Sequence, residues 1–157
     1  MEAVVLRQLA HGERTPLIEV FAGLSERSRR LRFLGPKPRL LRSDVETLVD
    51  VGSCGREAVA AVEPGSGRTV GIARFVRDAD APEAEIAFEV VDDRQGRGIG
   101  RQLVAELRAL AREQGILRFR ALVARENRPA LALVRSLGEV LAERPEGAEV
   151  ELVVRLA

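Results

Sequence analysis

The chain has 157 residues, a length that fits one domain and buries roughly 70% of its unfolded surface without needing a staple. Hydrophobic residues make up 46% and charged residues 31%, as in soluble globular proteins, and a net charge of +1 argues against nucleic acid held by bulk electrostatics. One cysteine, Cys54, excludes an internal disulfide and suits a reducing cytoplasm, the N-terminal "MEAVVLRQLAHGERTP" lacks the pattern of a signal peptide, and no apolar run nears the ~20 residues that span a membrane.

Ala3 to Leu9 reads as a short strand. Thr15 caps and Pro16 opens a first helix, with an apolar stripe of Ile18, Phe21 and Ala22. A second helix starts at Ser25 and stops at Gly35-Pro36. Ser43 and Glu46 form a capping box for a short third helix, "DVETLVDVG". "REAVAAVEP" and "RTVGIARFVRD" read as a hairpin turning at "EPGSG". "EAEIAFEVV" is the next strand, with Glu83, Glu85 and Glu89 alternating against Ile86, Phe88 and Val90. Ile99, Leu103, Leu107, Leu110 and Ala111 then recur at helical spacing up to Gly115. "ILRFRALV" is a strand with Leu117, Phe119, Ala121 and Val123 on one face. Asn127 caps a last helix that ends at Gly138, and "AEVELVVRL" closes the chain as a strand. The order predicts a mixed α/β domain over residues 1–157, without repeat or linker.

Gly96, Gly98 and Gly100 alternate at the mouth of the long helix. A helix N-terminus presents unpaired N–H groups and partial positive charge, and glycine lets the backbone approach a ligand. The turn is therefore a candidate phosphate cradle, with Arg97 and Arg101 adding charge; the plain alternative is a strand-to-helix connection. A Walker A loop would place Lys and then Ser or Thr after its last glycine, but Arg101 and Gln102 follow Gly100. A dinucleotide fingerprint would need its third glycine at Arg101. The spacing that fits is Q-x-x-G-x-G, as Gln95, Gly98 and Gly100.

With "AEIAFEVVDDRQGRGIG" before the helix and "ENRPALALVRSLG" after the next strand, the pattern resembles the GNAT family of acetyl-CoA-dependent N-acetyltransferases. The resemblance implies the GNAT fold, a central, mostly antiparallel mixed sheet flanked by helices and splayed between strands 4 and 5. It implies a coenzyme A pyrophosphate held at Gln95 and Gly96 and by backbone N–H groups of Arg97, Gly98, Ile99, Gly100 and Arg101. It pairs Val90 and Val91 with the pantetheine arm and puts Asn127 and Ala130 beside the cofactor. "SERSRRLRFLGPKPRL", joined to that core, also resembles the acetyltransferase domains of bacterial protein lysine acetyltransferases that modify acyl-CoA synthetases.

Acetyl transfer needs a neutral amine, and a lysine with a pKa of about 10.4 loses its proton at pH 7 at a cost of about 4.6 kcal/mol. A carboxylate beside the thioester can take that proton, directly or through water. The resemblance puts this general base at Glu85, with Glu89, of the same strand parity, in reserve; on pattern alone both read as solvent-facing. It also implies a backbone N–H near Val90 as the oxyanion donor. Many family members carry a general-acid tyrosine seven residues after the asparagine; here that position is Val134, the chain has no tyrosine, and a water can serve instead.

The expected function is direct acetyl transfer from acetyl-CoA to a primary amine, first a protein lysine such as one on an acyl-CoA synthetase. A small-molecule amine, or a non-catalytic acetyl-CoA sensor, is the alternative. Neither a metal, a nucleic acid nor a membrane is expected. Only one of the 25 basic residues, Lys37, is a lysine, so self-acetylation has few targets. Arg27, Arg29, Arg30 and Arg32 read as a solvated helix face, or else as the border of an acceptor groove. His11 reads as an exposed loop residue and Cys54 as incidental.

Overall fold

The computed structural model describes residues 3–157. Seven strands form one sheet: β1 (Val5–Gln8), β2 (Arg56–Val62), β3 (Thr69–Arg77), β4 (Glu83–Val90), β5 (Arg118–Ala124), β6 (Gly138–Glu146) and β7 (Glu149–Leu156). The helices are α1 (Thr15–Ala22), α2 (Glu26–Phe33), α3 (Arg42–Leu48), α4 (Ile99–Glu113) and α5 (Arg128–Arg135). The strand order is β1-β2-β3-β4-β5-β7-β6, and every neighbouring pair is antiparallel except β4 with β5.

Strand alternation assigns the two faces of the sheet. An added Cβ on Gly71 would meet the Leu103 side chain of α4 at 2.9 Å, and one on Gly100 of α4 would meet Val90 at 3.9 Å. Even-numbered residues of β4 therefore face α4. Odd-numbered ones face α2, where Glu89 meets Arg32. Ile99, Leu103, Leu107 and Ala111 bury the apolar stripe of α4 against β2, β3 and β4, as their spacing predicts. Phe75 and Phe119 are fully buried with ring centroids 6.1 Å apart, and truncating either to alanine is expected to cost roughly 3–5 kcal/mol.

Several elements differ from the sequence reading. No strand was expected at β6, which lies on the sheet edge almost wholly exposed, so no apolar alternation marks it; Pro145 is tolerated there because an edge leaves one side unpaired. Helix α1 buries Pro16, Leu17, Val20 and Phe21 and leaves Ile18 54% exposed, because it docks one residue out of the expected phase. Thr15 lies inside α1, after Arg14. Ser25 caps α2 as expected, but Leu34, at φ 59°, takes the left-handed stop ahead of Gly35. In α3 the capping carboxylate is Asp44, which accepts the Leu41 N–H at 2.7 Å, in place of the Ser43 and Glu46 box. Leu117 precedes β5 and is exposed, and α5 ends at Arg135, short of Gly138.

Candidate active site

The ladder between β4 and β5 runs only from Glu83 opposite Arg118 to Glu85 opposite Arg120. Beyond it β4 stays with β3 and β5 stays with β7, so the strands part and a gap opens in the sheet. The Val91 N–H donates to the Val70 carbonyl at 2.9 Å, which sets the parity of this bank. Odd-numbered backbone groups turn toward β3, and those of Phe88 and Val90 turn into the gap. Val91, expected to pair with an added strand beside Val90, is fully buried; its N–H goes to Val70 and its carbonyl accepts from Arg94 at 3.0 Å. Alternation therefore makes Phe88 and Val90 the residues of this bank.

The glycine turn closes one end of the gap. A short 3-10 turn, Asp92–Arg94, leads into it. Its two acids are turned aside: Asp92 accepts the Ser25 N–H at 3.1 Å, and Asp93 lies 3.4 Å from both Arg68 and Arg94. Gln95 braces the turn by donating from Nε2 to the Val90 carbonyl at 2.9 Å. Gly96 and Gly98 have φ of 75° and 81°, and an added Cβ on either would meet nothing within 4 Å. Gly98 is the N-cap of α4, and among the described residues no side chain caps the helix. The first bond of α4 is Gln102 N–H to the Gly98 carbonyl at 3.1 Å, which leaves the N–H groups of Gly98, Ile99, Gly100 and Arg101 without intrahelical acceptors. Gly100 does a different job: a Cβ there would press on Leu133 of α5 at 3.2 Å. Open space, aligned donors and an uncapped positive helix end suit a phosphate. A cavity of about 440 Å³ bordered by Arg94, Arg97, Ile99 and Gln102 lies beside the turn.

Glu85 and Glu89, on the α2 face of β4, have different surroundings. Glu85 stands where the strands part, its side chain 53% exposed, and among the described residues its one side-chain partner is Arg120, at 2.9 Å. Glu89 is buried against Arg32 of α2, whose Nε lies 2.7 Å away. Arg74 of β3 completes this cluster; it donates to the Leu48 carbonyl at 2.8 Å, and its buried Nε finds no acceptor among the described residues. Burial pushes the Arg74 guanidinium down to about 10, with Glu89 opposing that and Arg32 adding to it.

The basic run of α2 is only partly the solvated face that the sequence suggested. Arg29 stacks 3.9 Å from the Phe21 ring centroid and donates to the Phe21 and Pro38 carbonyls, while Arg30 pairs with Glu126 at 2.8 Å. Arg30, Leu34, Arg125, Glu126 and Gly147 border a cavity of about 670 Å³ between α2, the end of β5 and the β6–β7 turn. Asn127 accepts the Ala130 N–H at 3.4 Å and so starts α5 beside the β5 bank. Val134 is fully buried in the core. His11 and Cys54 are exposed, with His11 3.6 Å from Asp50.

The sequence profile of the acetyltransferase (GNAT) family matches residues 33–138. The chain belongs to the GNAT family of acetyltransferases. It is 37% identical over 100 residues to Acetyltransferase Pat of Mycolicibacterium smegmatis, a match that covers 63% of this chain but only 30% of that protein. It is 28% identical over 156 residues to Acetyltransferase PA5475 of Pseudomonas aeruginosa, covering 98% of this chain and 83% of that one. The GNAT domain of S. lividans PAT superposes with a TM-score of 0.86 at 30% identity, covering 98% of this chain and 90% of that one. The GNAT fold, with its parallel β4–β5 pair in an otherwise antiparallel sheet, is therefore as the sequence motifs implied. The family match makes the chain an acetyltransferase.

Reading the sequence did not find Arg120 or Arg74, and it placed Arg32 in the basic run of α2 without its partner Glu89. Arg120 meets Glu85 only through the parallel register, 35 residues away in sequence. Arg74 sits in the run "TVGIARFV", where a lone charge among apolar neighbours was the available signal.

Proposed function

We propose that this GNAT chain acetylates a primary amine by direct attack, and that the acceptor is a lysine of a protein. One observation carries the reading: a gap between β4 and β5 bounded by the Phe88 and Val90 backbone, with an uncapped glycine turn at one end and Glu85 at the other. The N–H groups from Gly98 to Arg101 bind the pyrophosphate, and Gln95 and Gly96 shape the turn around it. Asn127 and Ala130 line the opposite bank. When bound, acetyl-CoA supplies an acyl thioester, with the Val90 N–H as the donor to its carbonyl oxygen. Glu85 takes the amine proton, directly or through water, as the nitrogen–carbon bond forms and the carbon–sulfur bond breaks. Glu89 is a poor second candidate for this work, because its carboxylate is committed to Arg32. Water returns a proton to the sulfur, since Val134 offers none.

The likeness to proteins named Pat supports acetyl transfer, and the resemblance of "SERSRRLRFLGPKPRL" to protein lysine acetyltransferases puts a protein acceptor first. A small-molecule amine is the second reading, supported by the cavity of about 670 Å³, which is of small-ligand size. Coenzyme A release measured against lysine peptides and a panel of small amines separates the two. E85Q should lose roughly 10²-fold in kcat while keeping the rise in melting temperature that acetyl-CoA induces. Unchanged turnover in E85Q would remove Glu85 from the mechanism. Acetyl-CoA binding without turnover of any acceptor, in either form, would favour a sensor.

A further inference from the structure

We infer that the buried Arg32–Glu89 ion pair is a positioning clasp that holds α2 across the gap and thereby sets affinity for the acceptor. The inference rests on the acetyl-transfer reading above. Helix α2 touches both β4 and β5, so it bridges the two banks. It has eight residues and not one of them is buried, so no apolar stripe fastens it to the sheet. Polar ties do so instead. At its N-terminus the Ser25 N–H donates to Asp92 at 3.1 Å. On the β5 side Arg30 meets Glu126 at 2.8 Å, with side chains 44% and 50% exposed. Over β4 Arg32 meets Glu89 at 2.7 Å, with side chains only 14% and 6% exposed.

These ties are unequal. An exposed pair contributes little and weakens further with salt, whereas removing one partner of a buried pair leaves the other charge uncompensated. Arg29 and Phe33 fasten α2 to α1 through Phe21, and among the ties of α2 to the sheet strands Arg32–Glu89 is the strongest. Arg30, Leu34 and Gly35, in or just after α2, border the cavity of about 670 Å³. The glycine turn belongs to α4 and Glu85 to β4. The N-terminal end of α2 meets the approach to the glycine turn, through Ser25 to Asp92 and Ser28 to Gln95, whereas Arg32 fastens the C-terminal end that borders the cavity. Loosening that end thus moves one wall of the cavity and leaves the acetyl-CoA cradle and the base in place.

The test compares R32Q with R32K, which keeps the charge, in the full chain. R32Q should raise the acceptor KM roughly tenfold with kcat within about twofold, and its acetyl-CoA-induced rise in melting temperature should match that of the original protein. Amide hydrogen exchange should quicken over residues 26–33, and R32K should fall between the two. Should R32Q not fold, the KM and exchange of R32K decide by the same criteria. A fall in kcat at constant KM would mean that Arg32 acts on the chemistry. Unchanged KM and unchanged exchange would overturn the clasp outright. The exchange measurement reads α2 without any acceptor, so failure of the transfer reading and failure of the clasp are separable.

Discussion

Gly98 allows the phosphate cradle to be tested against an internal control. Gly98 and Gly12 have nearly the same φ, 81° and 83°, and a Cβ on either would meet nothing within 4 Å. They differ in place: Gly98 starts α4 beside the gap, and Gly12 lies in the loop between β1 and α1, where its N–H donates to the Val49 carbonyl. Replacing either by alanine forces a left-handed alanine at a cost of about 1–2 kcal/mol, which lowers the melting temperature by roughly 2–8 °C in a domain of this size. Ligand binding should separate them. The G98A methyl group occupies space that a phosphate would need. Losing one backbone bond to a charged group costs about 1.5–3 kcal/mol, or about ten- to a hundredfold in affinity. At 100 times the original dissociation constant, acetyl-CoA stabilises the protein by about 2.7 kcal/mol. For a variant a hundredfold weaker, that gain falls to about 0.4 kcal/mol. Thermal melts with and without acetyl-CoA should show G12A destabilised but fully responsive, and G98A destabilised and nearly unresponsive. Equal responses in the two variants would refute the cradle.

Two further outcomes follow from the charge arrangement. Arg74 sits beneath α2 with its guanidinium pushed down to about 10 by burial, a penalty on the cation of about 3 kcal/mol. R74M removes that penalty but orphans the Leu48 carbonyl at about 1–3 kcal/mol, so urea unfolding should find R74M between neutral and about 2 kcal/mol more stable. A loss above about 3 kcal/mol would show that the reckoning is wrong. Asp92 is partly buried, which disfavours its charge, but hydrogen bonds from Ser25 and Ser28 outweigh burial and hold its carboxyl below the ordinary 3.8. Its folded form therefore holds the proton less tightly than the unfolded chain does. The stability it lends is complete above that value and is lost as pH falls below it. Asp44, held down by Lys37 and the Leu41 N–H, acts in the same window. D92N should flatten the fall of melting temperature between roughly pH 4 and pH 2, and an unchanged slope would remove Asp92 from the account.

The elements that mattered most for the site were legible because their signals are local. The 3.6-residue recurrence from Ile99 to Ala111 announced α4, and the glycines before it announced an unusual helix start. Asn127 marked the start of α5. What could not be read was whatever depends on the partner across the sheet. Strand β6 carries almost no buried residue, so its only signature is the ladder it makes with β7. Val90 and Val91 look alike in sequence, but the pairing of Val91 with Val70 turns one into the gap and the other away from it.

The glutamates of β4 divide the two kinds of information most clearly. By itself, the sequence determined that Glu85 and Glu89 share a face, because side chains alternate along any strand. It also determined the helix start that suits an anion, because glycine conformation and unpaired N–H groups are local properties. Only the tertiary structure decided that Glu85 stands partly exposed where β4 leaves β5, and that Glu89 lies buried under Arg32. Those environments depend on where α2 crosses the sheet and where the parallel ladder ends, and both are set by contacts between segments far apart in the chain.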